Sequence, residues 1–77
     1  MKLTSKKLGS IILTELETGY EVVKVSRIAL DLYQDSEIEL TPEINNLLLE
    51  LIAMEEGPEF EFSEKDLFEL ANKLFSN

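Results

Sequence analysis

Most side-chain chemistry at neutral pH runs through histidine or cysteine, and this chain of 77 residues has neither. Proton shuttling by imidazole, attack by a thiolate, and zinc or copper held by nitrogen and sulfur ligands are therefore not expected. What remains is a large supply of carboxylates: 16 acids against 7 bases, for a net charge of -9. A carboxylate pair can serve as general acid and base, but so many acids make any single pair uninformative, and no enzymatic activity is expected. A calcium loop beginning at Asp35 would place Glu37 and Glu39 at its third and fifth positions. It fails at Leu40, where the sharp turn needs glycine, and at Asn46, where a bidentate glutamate belongs. The glycines Gly9, Gly19 and Gly57 form neither a P-loop nor a dinucleotide fingerprint, so the sequence implies no cofactor and no metal.

Charge placement carries more information than any motif. Between Asp31 and Glu69 lie thirteen acids and only Lys65, a local net charge of -12. Residues 1–30 carry five bases (Lys2, Lys6, Lys7, Lys24 and Arg27) against three acids. Such polarisation costs self-repulsion and creates a negative field that steers a cationic partner. The weak basic patch lacks the interleaved aromatics of nucleic-acid binders, and the net charge opposes phosphate contact, so direct binding of nucleic acid is not expected.

Helical spacing dominates the segments that must position these charges. A helix near 5–17, capped by Thr4 or Ser5, repeats Leu8, Ile12 and Leu16 on one face. The boundary at Thr18-Gly19-Tyr20-Glu21 fits either a capping box into the next helix or a left-handed Gly19 ending the first. A second helix over 20–34 directs Val22, Val25, Ile28 or Ala29, and Leu32 or Tyr33 inward, despite β-branched residues at its start. Thr41 as cap and Pro42 at the first helical position open a third helix, with Ile44, Leu47, Leu48, Leu51 and Ile52 as its core stripe. Leu49 and Met54 lie off that stripe, which suggests packing from two sides, and Gly57-Pro58 ends the helix. Glu59-Phe60-Glu61-Phe62 alternates as an extended segment would, with both phenylalanines on one side. Ser63 then caps a fourth helix over 64–75, with Phe62 and Leu67 at the two positions of a hydrophobic staple. The expected fold is one all-α domain, a small bundle of four helices whose short connections favour antiparallel neighbours.

No span of about 20 apolar residues exists to cross a membrane, and the apolar run Ile11-Ile12-Leu13 is too short for a secretory signal, so a cytoplasmic location is the default. The two connections flanking the third helix are both acidic and carry hydrophobes beside the charge. Tyr33, Asp35, Glu37, Glu39 and Glu43 lie about one end, and Glu55, Glu56, Glu59, Phe60 and Glu61 about the other. Aromatic anchors ringed by charge have the composition of an interaction hot spot. These ten residues are the candidate contact surface for a basic partner protein. The implied role is non-enzymatic, covering a basic surface in the manner of inhibitors, immunity proteins and antitoxins, an analogy of size and charge.

Two other readings compete. In the first, a self-associating structural or regulatory protein, the apolar faces of the third helix complete their burial across a homodimer. The length, the acidity and the pair Asp35-Ser36 resemble acyl and peptidyl carrier proteins, which attach phosphopantetheine to a serine in an Asp-Ser-Leu context at a helix start. Here Glu37 follows Ser36, and the next helix starts six residues later at Pro42.

Overall fold

A computed structural model describes residues 1–76, a body of about 30 × 26 × 20 Å built from four helices. These are α1 (Ser5–Glu17), α2 (Val22–Gln34), α3 (Pro42–Ala53) and α4 (Glu64–Ser76). Three helices start where a hydroxyl satisfies a free backbone amide of the first turn: Thr4 accepts from Lys7 N, Thr41 from Ile44 N and Ser63 from Asp66 N. The exception is α2, whose cap residue Glu21 makes no side-chain bond to a first-turn amide. The capping box does not form. Thr18 instead ends α1, its hydroxyl donating to the Glu15 carbonyl, and Gly19 at φ +107° takes the left-handed conformation that turns the chain.

The pairing of helices departs in part from the neighbour rule. α2 packs on α3, its sequence neighbour, and Ser26 ties them by donating its hydroxyl to the Ile52 carbonyl at 3.0 Å. The chief partner of α1, however, is α4 rather than α2. These two run antiparallel. Lys6 and Gly9 near the start of α1 meet Ala71 and Phe75 near the end of α4, while Leu13 and Leu16 meet Phe68 at the other end. Gly9 makes this pairing close, because a Cβ at that position would stand 2.6 Å from both Ala71 O and Phe75 N.

The core joins both pairs: Leu8 and Ile12 of α1, Val25 and Ala29 of α2, Ile44, Leu48 and Leu51 of α3, and Leu67 and Ala71 of α4, all buried. Leu3 and Met54, outside the α-helices, complete it. Leu3 belongs to an N-terminal strap that bridges in parallel to the connection before α3. Leu3 N donates to Glu39 O at 3.0 Å, and Glu39 N donates to Met1 O at 2.7 Å. Leu49 does not pack inward: it is 43% exposed, so α3 is not covered on that side.

The segment 59–62 is not extended throughout. After α3 the chain makes two short 3-10 turns, Met54–Glu56 and Pro58–Phe60, and only from Glu61 is it extended. Proline fixes the φ of Pro58 in the turn range, and the bonds from Phe60 N to Gly57 O and from Glu61 N to Pro58 O close the second turn. Local turn chemistry thus overrides the alternation. Phe60 is exposed, while Phe62 is half-buried against the core with Leu67, as the staple requires.

Candidate functional site

The ten candidate residues fall into two groups. At the N-terminal end of α3 the side chain of Asp35 accepts from Glu37 N at 2.9 Å, and its carbonyl accepts from Ile38 N, forming a tight polar turn. Glu39 follows with both backbone groups engaged by the N-terminal strap, so the exposed carboxylates of Glu37 and Glu39 stand on ordered chain. Exposed Tyr33, in the last turn of α2, precedes this loop. Glu43, in the first turn of α3, follows it beside the positive end of the helix dipole.

At the other end Glu55 and Glu56 occupy the first 3-10 turn, Glu59 and Phe60 the second, and Glu61 the extended residue after it, all exposed. This loop is also anchored. Tyr20 donates its hydroxyl to the Phe62 carbonyl, and Phe62 N lies 3.4 Å from the Met54 sulfur. Twelve helical residues, about 18 Å at the usual rise, separate the two groups. The candidate residues therefore form two acidic ends of one helix rather than one cluster. No three acids among the described residues converge closely enough to hold a metal ion, so the carboxylates act as a spread field.

Those charges are not neutralised internally. The single ion pair among the described residues is Lys24 with Glu21 at 2.8 Å, both exposed and both outside the acidic stretch. No carboxylate between Asp31 and Glu69 is paired with a cation in the described chain; the Met1 ammonium lies at this surface but donates to the Glu37 backbone carbonyl, at 2.8 Å. The Lys24 ammonium is held above its usual range by its bond to Glu21, an effect of little weight in full solvent.

Tyr20 was not singled out by the sequence, yet it fastens the second acidic loop. Burial, reinforced by the Glu61 and Glu64 carboxylates, raises its hydroxyl above the ordinary tyrosine range, so it stays a protonated donor at neutral pH. The raised value gives a sign. The bond contributes below the unfolded pKa near 10 and is lost as pH rises through the higher folded one. Tyr20→Phe is expected to lower stability at pH 7 by about 1 kcal/mol, leaving the Phe62 carbonyl unpaired, and to flatten the alkaline decline. Urea denaturation at pH 7 and pH 11 checks both. Identical midpoints at pH 7 would mean that the bond holds nothing.

A groove beside the second loop was also missed. It is lined by Glu50 and Ala53 of α3 with Phe60 and Phe62 of the loop, and its volume is about 360 Å³. The available signal was apolar Ala53, which lies outside the core stripe shortly before the two phenylalanines of the loop. A second groove of about 430 Å³ runs between α1 and α4, where Leu13, Leu16 and 51%-exposed Phe68 are edged by Glu17, Glu64 and Lys65. Ser36 sits in the exposed turn before Glu39 rather than at a helix start. No family model matches the chain, and no curated protein or solved structure is significantly similar to it.

Proposed function

We propose that this protein is a non-enzymatic acidic interaction module that binds and blocks a basic surface of a partner protein, as an inhibitor, immunity protein or antitoxin does. The observation that supports this reading is that, among the described residues, none of the thirteen carboxylates of residues 31–69 is held in an ion pair. Folding gains little from crowding like charge on one part of a small domain, whereas a cationic partner gains both steering and pairing. The mechanism is steric and electrostatic: carboxylates at the two ends of α3 pair with lysines or arginines that would otherwise hold phosphates or another acidic ligand. No catalytic step and no cofactor enter. No helix among the described residues is long and apolar enough to cross a membrane, and a cytoplasmic site of action is part of the proposal.

The test begins with capture of partners from the native lysate at low salt, elution by a salt gradient and identification by mass spectrometry. Affinity is then measured for the wild type and for the triple variant Glu55→Lys, Glu56→Lys, Glu59→Lys. Because these acids are exposed, helicity is expected to be unchanged, while affinity for the captured protein falls roughly 10- to 100-fold, chiefly in the association rate. The salt dependence of binding should flatten in parallel. Equal affinity of variant and wild type would overturn the proposal.

A second reading, self-association, is favoured by exposed Phe68 over the α1–α4 groove, which is edged by charges of both signs. Light scattering at micromolar concentration separates the two, since the interaction module is expected to be a monomer.

A further inference from the structure

We infer that the groove formed by α3 and the loop after it is the seat for a cationic amphipathic helix of the partner, with apolar anchors one turn apart and lysine or arginine on its flanks. This rests on the preceding reading of the acids and assigns them a place and a recognised shape. The apolar lining comes from Ala53 of α3 and from Phe60 and Phe62 of the loop, and Leu49, one turn before Ala53 on the same helix, is exposed beside it. Leu49 is 43% and Phe60 49% exposed, so hydrocarbon is left uncovered on a domain too small to waste it.

The wall is also built beforehand. The 3-10 turn fixes Phe60 outward, while the bond donated by the Tyr20 hydroxyl to the Phe62 carbonyl and the contact of Phe62 N with the Met54 sulfur fix the chain behind it. Ordering costs on binding are correspondingly small.

The rim selects the occupant. Glu50 lines the groove, Glu59 and Glu61 flank Phe60 in sequence, and none of the three is paired with a cation within the described chain. A second copy of this chain fits poorly, because a two-fold contact would set these carboxylates against themselves. A neutral apolar helix would strip water from them without replacing its hydrogen bonds. Lysine and arginine satisfy both demands, since their hydrocarbon stems lie on the apolar floor while their charged heads reach the rim. A guanidinium is also able to stack on the open ring of Phe60, the same kind of contact that Lys6 makes with Phe75 at 5.4 Å. A short helix is the element that presents apolar side chains at i, i+4 and i+7 to such a groove.

The test uses the full chain labelled with nitrogen-15 and three synthetic 16-residue peptides. One is a helix with leucine, tryptophan and leucine at i, i+4 and i+7 and lysines flanking that stripe. The second has the same composition scrambled to remove the stripe, and the third has glutamine in place of lysine. The amphipathic lysine peptide is expected to bind at least tenfold more tightly than either control. Its amide shifts should concentrate at Glu50, Ala53 and residues 60–62. Phe60→Ala should lose at least tenfold in affinity with an unchanged melting temperature, because that ring is half in solvent.

If the scrambled peptide binds equally well and shifts both acidic ends, the groove assignment falls while the acidic-module reading stands. If the glutamine peptide binds as well as the lysine peptide, the cationic requirement fails, and the acidic reading loses its support at this site. If no peptide shifts the groove residues at millimolar concentration, the inference is overturned.

Discussion

Gly9→Ala is expected to destabilise the protein by about 1–3 kcal/mol, although alanine is the better helix former. In a helix surrounded by solvent the same change gains about 1 kcal/mol, so the sign of the effect is diagnostic. Here the added methyl would lie 2.6 Å from Ala71 O and from Phe75 N, and 3.1 Å from Leu74 Cβ. The first two atoms are backbone of α4, and no rotamer change relieves them. The helices must move apart, which loosens Leu8 and Ile12 on one side and Leu67 and Ala71 on the other. Gly9→Val, bulkier still, is expected to leave little folded protein at 37 °C. Urea midpoints followed by circular dichroism measure both variants. An alanine midpoint equal to or above that of the wild type would mean that α1 and α4 separate without cost.

Leu3→Ala is expected to cost about 2–4 kcal/mol, as much as truncating a leucine in the middle of a core helix. Leu3 is fully buried, although it precedes the first helix and lies in a strap that would otherwise be free to fray. Its loss leaves a cavity beneath that strap and weakens the reason for the backbone to bond with Glu39. Hydrogen exchange at the Leu3 and Glu39 amides should therefore accelerate beyond what global destabilisation explains. Lys2→Ala, one residue away and exposed, should change the midpoint by less than about 0.5 kcal/mol. A Leu3→Ala protein as stable as the wild type would show that the strap merely lies against the domain.

The helices were legible because their signals are local. Thr4, Thr41 and Ser63 each stand one residue before a helix and cap it, Pro42 fits a first turn, and the apolar spacing of α3 contains its buried residues Ile44, Leu48 and Leu51. The partnership of the helices was harder to read, because what brings α1 to α4 is the absence of a side chain at Gly9, which periodicity does not register. Leu3 lies one residue upstream of the Thr4 cap, outside the helical periodicity, yet Leu3 and Leu8 occupy the same two staple positions as Phe62 and Leu67, and both are buried. The alternation of Glu59 to Phe62 misled because Pro58 imposes a turn where hydrophobic pattern alone suggests a straight chain. The ten candidate residues lie about the two ends of α3. Their arrangement in space depends on the strap at Glu39 and the bond from Tyr20, both of which join residues more than 35 positions apart.

The two helix pairs also differ in how they form during folding. α2 and α3 are joined by residues 35–41 alone, whereas α1 and α4 are separated along the chain by residues 18–63. Closing the longer loop in an otherwise unstructured chain costs on the order of 1.5 kcal/mol more, because closure entropy grows with the logarithm of length. The inner pair is thus the natural early unit, and the outer pair seals over it. On the ribosome the order is stricter still, since the apolar stripe of α1 leaves the exit tunnel first and α4, which covers it, follows only after everything between them. Throughout that interval Leu8 and Ile12 lack the helix that covers them in the folded domain.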